Sequence, residues 1–216
     1  TAFLNAREGS FRCLKTAALQ VRDPDDETGD EDDVDNLVYS TMAAREAGQF
    51  VRQFPHLEHL VLHGCRDWPE GMDGLPWQKL QVLEFYQQDI CSVSPHLAVG
   101  LRGMVHLQRL VIKGAAGLTW LPEWLGELTQ LTSLELATGP LASLPQSITR
   151  LQRLTSLHIR NVACQLPDDI GCMMALVELD LRRWKFEPPT LPPSMAGLTR
   201  LTMLDLNCAY MVWWMA

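Results

Sequence analysis

Large apolar residues recur along the chain in a short phrase that appears seven times. In each copy a leucine is followed three positions later by a second leucine and two positions after that by a third large apolar residue. The copies begin at Leu57, Leu80, Leu107, Leu131, Leu154, Leu176 and Leu201, at intervals of 23, 27, 24, 23, 22 and 25 residues. This spacing predicts a short strand that turns alternate side chains toward a core. Such a period indicates units that bury their apolar faces by stacking on one another.

A second signal lies in the return segments, where a Leu-Pro pair precedes each of the later phrases. Proline fixes φ near a helical value and needs no N–H partner, so it starts a short helical or 3₁₀ turn. We expect the apolar residue three positions after the proline to point into the core. The pairs are Leu121-Pro122, Leu144-Pro145, Leu166-Pro167 and Leu191-Pro192.

The chain before the first phrase predicts one weaker strand and one helix. Residues 11–21 place Leu14, Ala17 and Leu19 in the repeat positions, although Ala17 replaces a large residue. Residues 37–54 predict a helix, because alanine and glutamate favour helices and apolar residues recur at a loosely helical spacing.

Between these two elements, residues 22–36 form an insertion that contains nine acidic residues. Like charges repel and the segment has little to bury, so we expect a solvated acidic loop that folding does not require. Asp23, Asp25 and Glu27 resemble half of a calcium-binding loop, but the glycine comes one place late and Val34 stands where glutamate is needed. The net charge of −8 comes mostly from this block, so no basic field favours nucleic acid.

Motifs for catalysis are absent from the sequence. It has no P-loop, no zinc-protease motif and no serine-hydrolase motif, and we predict no enzyme activity, no cofactor and no metal site. His59 and His63 could share a metal with a third ligand, although surface histidines of a binding face fit the pattern better. The six cysteines contain no Cys-x-x-Cys pair, which favours buried thiols. No apolar run reaches the roughly 18 residues of a membrane span, and a cytoplasmic location is expected.

The combination of phrase and return segment resembles intracellular, plant-type leucine-rich repeats. Residues 121–136, LPEWLGELTQLTSLEL, are similar to repeats in the C-terminal domain of plant NLR disease-resistance proteins, and also to Ras-group leucine-rich-repeat proteins. The resemblance implies an α/β solenoid with a curved parallel sheet on its concave face and short helical or 3₁₀ turns on its convex face. We expect one domain over residues 1–216, with regular repeats over residues 55–210. We also expect this chain to be a fragment of a longer protein.

Function is implied by the same resemblance. It favours a protein-recognition module that binds a partner on the concave face, as the sensor or autoinhibitory part of an NLR-like immune receptor in plant defence. The alternative is the substrate-recognition part of a ubiquitin ligase, or of a leucine-rich-repeat effector, whose catalytic domain lies outside this chain. A protein partner is expected, and no nucleic acid, membrane segment or small-molecule site is indicated.

Outward strand positions supply the candidate binding residues. Those chosen for their charge or aromatic character are His158, Arg160, Asp180, Arg182, Arg183, Asp205, Tyr86 and Lys113. Alternation predicts that Leu134, Leu157 and Leu179 are buried, and that Glu135, His158 and Asp180 beside them stay accessible. If these polar residues lie on the surface, changing Arg160 and Arg182 to glutamate costs only about 0.5 kcal/mol of stability each.

Overall fold

The computed structural model describes residues 15–21, 39–42, 44–64, 72, 77–86, 101, 104–114, 120–137, 141, 143–160, 165–182 and 191–206. These residues form one sheet of nine parallel strands in the order β2-β1-β3-β4-β5-β6-β7-β8-β9. The strands are β1 (Thr16–Val21), β2 (Tyr39–Met42), β3 (His59–His63), β4 (Val82–Tyr86), β5 (Arg109–Lys113), β6 (Ser133–Ala137), β7 (Ser156–Arg160), β8 (Glu178–Asp180) and β9 (Met203–Asp205). Each repeat phrase from β3 onward adds one strand, and the predicted α/β solenoid is confirmed.

The predicted helix over residues 37–54 is wrong in its first part. Residues 39–42 form β2, and the helix α1 spans only Ala44–Val51. The strand forms because its backbone pairs with β1 over four residues, and that pairing outweighs the helical propensity of the segment. The helix packs Ala47 and Val51 into the core, and Phe54, three residues after Val51, is buried there as well.

The core lies behind the sheet and is built from the inward strand positions. The second leucine of each phrase from β3 to β8 is at most 1% exposed, which confirms the predicted burial of Leu134, Leu157 and Leu179. Full burial of such a side chain stabilises the fold by about 1.5–3 kcal/mol. Leu204 of β9 occupies the same position but is 44% exposed, since no described residue covers the far side of that strand. The acidic insertion and the C-terminal residues 207–216 lie outside the described residues.

Short 3₁₀ helices form the opposite, convex side. They are η1 (Trp77–Lys79), η2 (Glu123–Glu127), η3 (Gln146–Arg150), η4 (Ile170–Cys172) and η5 (Pro193–Gly197). The helices η2, η3 and η5 follow the predicted proline directly, whereas η4 begins three residues after Pro167. Of the apolar residues three positions after the prolines, Leu125, Ile148 and Ile170 are buried as expected, and Met195 is only partly buried against the core. Cys172 in η4 is an exposed free thiol, so the expectation of buried cysteines is wrong at that position. The other cysteines lie outside the described residues.

Neighbouring 3₁₀ helices touch through small residues and shared hydrogen bonds. A β carbon on Gly171 of η4 would overlap the backbone carbonyl of Ser194 in η5, and the Ser194 hydroxyl accepts a hydrogen bond from the Gly171 N–H at 3.3 Å. In η2, the Glu123 carboxylate accepts the backbone N–H groups of Gln146 and Ser147 at 3.2 and 3.0 Å. The convex side is therefore joined from repeat to repeat by contacts that need glycine or serine at set places.

We predict that Gly171→Ala destabilises the chain, although alanine normally favours helical backbone over glycine. The added methyl group must displace the Ser194 backbone, and overpacking of this kind costs about 1–3 kcal/mol. Urea unfolding followed by circular dichroism gives the free energy. Thr149→Ala is the matched control, because Thr149 holds the corresponding place in η3 and already carries a β carbon. A Gly171→Ala chain as stable as the wild type would contradict the close packing of η4 on η5.

Candidate interaction surface

The outward face of the sheet carries polar side chains in columns that run across the strands. The register places the middle column as Val61, Glu84, Val111, Glu135, His158, Asp180 and Asp205. The next column, here called the third column, lies at the carboxyl ends of the strands and reads His63, Tyr86, Lys113, Ala137 and Arg160. Arg182 comes two residues after the end of β8. Residues from different repeats thus become neighbours on one surface.

Two of the predicted accessible residues are in fact buried. The side chains of Glu135 and Asp180 are only 8% and 2% exposed, whereas His158 is partly exposed. Both carboxylates lie beneath longer basic side chains that extend over them from neighbouring positions. The alternation of inward and outward residues is correct, but outward position does not mean solvent access where an arginine covers its neighbour.

Asp180 lies at the centre of the C-terminal part of this surface. Its Oδ2 accepts a hydrogen bond from Nε of Arg160 at 2.7 Å and from Nη2 of Arg182 at 2.8 Å. Its Oδ1 accepts the Arg182 backbone N–H at 3.1 Å and the Nε of the same residue at 3.0 Å. Nε of Arg182 also lies 3.4 Å from Oδ2 of Asp205 on the next strand. Arg182 therefore neutralises two adjacent aspartates that the parallel register places side by side.

Glu135 has the same role two repeats earlier. Its Oε1 lies 3.2 Å from Nζ of Lys113 and 3.1 Å from Nη1 of Arg160. Its Oε2 lies 4.0 Å from Nη2 of Arg109. Because Arg160 contacts both Glu135 and Asp180, the two carboxylate sites are joined. We call the joined set of charged side chains the charge network. Its members are Glu84, Arg109, Lys113, Glu135, Arg160, Asp180, Arg182 and Asp205.

Aromatic side chains extend the network toward the N-terminal repeats. Tyr86 donates its hydroxyl proton to Oε2 of Glu84 at 2.8 Å, and Nε of Arg109 lies 3.4 Å from Oε1 of the same carboxylate. The Tyr86 ring stacks on the His63 ring with centroids 4.7 Å apart, and Nζ of Lys113 lies 5.5 Å from the Tyr86 centroid. Burial, followed by the hydrogen bond to Glu84, raises the pKa of Tyr86 to about 12. Burial lowers the pKa of His63, against the charge of Glu84, which raises it.

The pKa of Asp180 reports how strongly the network holds its carboxylate. Burial alone would raise this pKa. The hydrogen bonds from the side chain and backbone of Arg182 and from Arg160 outweigh burial and hold the pKa well below its usual range. Asp180 in turn raises the pKa of Arg182. A carboxylate with a depressed pKa in the folded state adds stability that is present above its unfolded pKa and is lost as the pH falls.

The predicted site residues thus fall into three groups. The charge network includes Lys113, Arg160, Asp180, Arg182 and Asp205, and Tyr86 contacts it through Glu84. The His158 ring contacts Ser156 and Glu178 at 3.0 and 3.5 Å instead. Arg183 lies outside the described residues.

Three members of the network were missing from the sequence-based set: Glu84, Arg109 and Glu135. Glu84 and Glu135 stand in the middle outward column, where the alternation of charge between strands could have indicated them. Arg109 stands in the first outward column, and only its reach across to Glu84 and Glu135 reveals its role.

Arg160 and Arg182 are also not the independent surface residues that the sequence suggested. Each contacts Asp180, whose side chain is 2% exposed. Glutamate at either place would face a buried carboxylate and leave it without its cation. Removing one partner of a buried charge costs more than removing an exposed residue. The expected cost of only about 0.5 kcal/mol for each change rests on both arginines being independent surface residues. The contacts with Asp180 contradict that premise, and we expect a larger cost.

His59 and His63 lie at the two ends of β3 and contact different groups. Nε2 of His59 is 3.8 Å from Oε1 of Glu84, while His63 stacks on Tyr86. The described part of the chain contains no group of three or more metal-binding side chains. It also contains no helix long and apolar enough to cross a membrane.

We predict that Asp180→Asn lowers the free energy of unfolding at neutral pH by about 1–3 kcal/mol, because the partly exposed Arg160 and Arg182 lose a charged acceptor. The difference from the wild type should shrink as the pH falls below 3.8, the ordinary pKa of aspartate, because the unfolded wild-type chain then binds a proton at this carboxyl that the folded chain, with its lowered pKa, does not bind. Urea unfolding across pH measures both effects. Asp168→Asn, at an exposed turn, is the control. A difference that is zero at neutral pH, or constant into acid, would contradict this account.

Comparison with known proteins agrees with the geometry. A family model described as a leucine-rich repeat region matches residues 75–214. The TMV resistance protein N of Nicotiana glutinosa is 26% identical over 186 residues, which cover 72% of this chain and 16% of that protein. The chain thus spans about a sixth of the length of this curated relative.

One solved structure shows the same fold at low sequence identity. The plant peptide hormone receptor RGFR1, solved in complex with RGF2, has a TM-score of 0.50 and 21% identity, over 80% of this chain and 28% of that one. The leucine-rich repeat domain of the type III effector XopL has a TM-score of 0.49 at 21% identity, over 72% of this chain and 62% of that one. The predicted resemblance to plant disease-resistance proteins is confirmed by the Nicotiana match. The family model covers more than half of the sequence, and the chain belongs to the leucine-rich-repeat family.

Proposed function

We propose that this chain recognises a protein partner on the outward face of its sheet, as the sensor or autoinhibitory part of an NLR-like plant immune receptor in the cytoplasm. One observation carries the proposal: polar and aromatic side chains from six consecutive strands, β4 to β9, form a continuous surface there. Solenoids use such extended faces for binding. The similarity to a plant resistance protein supports the receptor context.

The construction of the surface suits recognition rather than catalysis. Its carboxylates already accept hydrogen bonds from neighbouring side chains or form ion pairs with them. They are therefore poorly placed to act as free acids or bases. The network also fixes the side chains before a partner arrives. Preorganised side chains lose less conformational entropy on binding, which favours affinity.

Ala137 is the natural place to test the surface without disturbing the network. It lies in the third column between Lys113 and Arg160, and its side chain is a single methyl group. Its replacement removes no charge. A tryptophan there would fill the space above β6 and obstruct a partner that lies across the strands.

We predict that Ala137→Trp abolishes capture of the partner while the chain stays folded. The purified chain would be immobilised and exposed to extract from its source organism, and bound proteins identified by mass spectrometry. Thr129→Trp is the matched control, because Thr129 is exposed on the turn before β6, away from the outward face. Circular dichroism checks that both variants fold. Loss of the same proteins from both variants, or from neither, would contradict binding at this face.

A further inference from the structure

The third column, unlike the middle column beside it, contains no acidic residue. It runs from the stacked pair His63 and Tyr86 through Lys113 and Ala137 to Arg160. The acidic members of the network stand in the middle column, and its basic members flank them, with Arg109 in the first outward column and Lys113 and Arg160 in the third. A partner that lies along the carboxyl ends of the strands would meet cations and aromatic rings first.

Burial distinguishes the middle column from the third column in the central repeats, whereas Asp205 at the end of the middle column stays 37% exposed. The carboxylates of Glu135 and Asp180 are almost completely covered, whereas Arg160 and Arg182 are 32% and 44% exposed. A guanidinium has five N–H donors, and the bonds to Asp180 and Glu135 occupy only part of each fork. The surface available to a partner is therefore rich in hydrogen-bond donors and poor in free acceptors.

The small side chain of Ala137 leaves a gap in the third column. Lys113 and Arg160 flank it from the strands on either side, and both approach the same oxygen, Oε1 of Glu135. A carboxylate that enters above Ala137 would find two cations converging on it from opposite sides. The buried Glu135 would hold them in place from below. Carboxylate groups suit a site of this kind because arginine pairs with them through planar, charge-assisted hydrogen bonds.

We propose that the partner presents an extended acidic segment to the third column, with one Asp or Glu side chain above Ala137 between Lys113 and Arg160. This inference rests on the proposed binding at the outward face and specifies the chemistry of the partner there. A nucleic acid fits less well. The network contains as many acidic as basic side chains. Its Asp205 and the neighbouring Glu178 remain partly exposed, so they would repel a continuous phosphate backbone at intervals.

The test uses the full chain and fluorescently labelled peptides in which glutamate, glutamine or lysine alternates with serine. Fluorescence anisotropy at low ionic strength should show binding of the glutamate peptide, weaker or absent binding of the other two, and loss of affinity as salt is added. Lys113→Gln should weaken binding of the glutamate peptide about two- to fivefold, the range for a partly exposed ion pair. Ala137→Trp should abolish it. Lys15→Gln is the matched control, because Lys15 also pairs with a glutamate, Glu58 at 2.7 Å, but precedes β1 at the opposite ends of the strands.

The remaining outcomes separate this inference from the proposed function. If the glutamate peptide does not bind, the acidic chemistry is wrong, and recognition at this face is left standing. The same conclusion follows if the glutamine or lysine peptide binds more tightly than the glutamate peptide and Ala137→Trp abolishes that binding. Equal binding of the glutamate peptide to wild type, Lys113→Gln and Ala137→Trp would overturn the placement on the third column. If a single-stranded oligonucleotide binds more tightly than the glutamate peptide, with the same dependence on Lys113, the proposed acidic peptide is wrong and the ligand of this surface is a phosphate polymer.

Discussion

The structure of the outward face depends on one constraint: carboxylates from successive strands are brought close together and must be neutralised. Parallel strands stand about 4.8 Å apart, and the register places Asp180 directly beside Asp205. Two such charges repel unless a cation lies between them. Arg182 contacts both, and Arg160 connects Asp180 to Glu135 two strands away. The arrangement of the cations follows from the positions of the acids that they cover.

This constraint also explains why the surface is preorganised. Each basic side chain of the network is fixed by at least one carboxylate, and Arg109, Arg160 and Arg182 each contact two. These long side chains lie over their neighbours and remain partly exposed. Exposed single ion pairs contribute little to stability, but a joined set with buried acids loses more when one member is removed. Stability of the repeat stack and shape of the interaction surface are therefore coupled through the same residues.

Much of the fold follows from the sequence because the repeat phrase fixes strand, register and core together. The inward leucines and the 3₁₀ turns after proline are where the phrase places them. The helix before β3 was predicted too long, because local propensity gives no sign that residues 39–42 pair with β1. Propensity describes one segment, whereas strand pairing depends on a partner that is distant in sequence.

The site could be predicted only in outline. Alternation identifies which residues face outward, and most of the candidates belong to the charge network. Alternation does not show that Arg160 covers Asp180, because that depends on how a long side chain lies across neighbouring strands. Burial of Glu135 and Asp180 is therefore a property of side-chain conformation rather than of strand position, and it raises the expected stability cost of mutating their arginine partners.

A double-mutant cycle between Glu135 and Arg160 measures whether the cations of the network hold its buried carboxylates. Glu135→Gln, Arg160→Gln and the double variant would be unfolded in urea at neutral pH, with the exposed pair Lys15 and Glu58 as the reference cycle. We expect a coupling energy of about 1 kcal/mol or more for Glu135 and Arg160, within the range for residues of one network, and a smaller value for the reference pair. Additive effects at Glu135 and Arg160 would show that the cations do not hold the buried carboxylates.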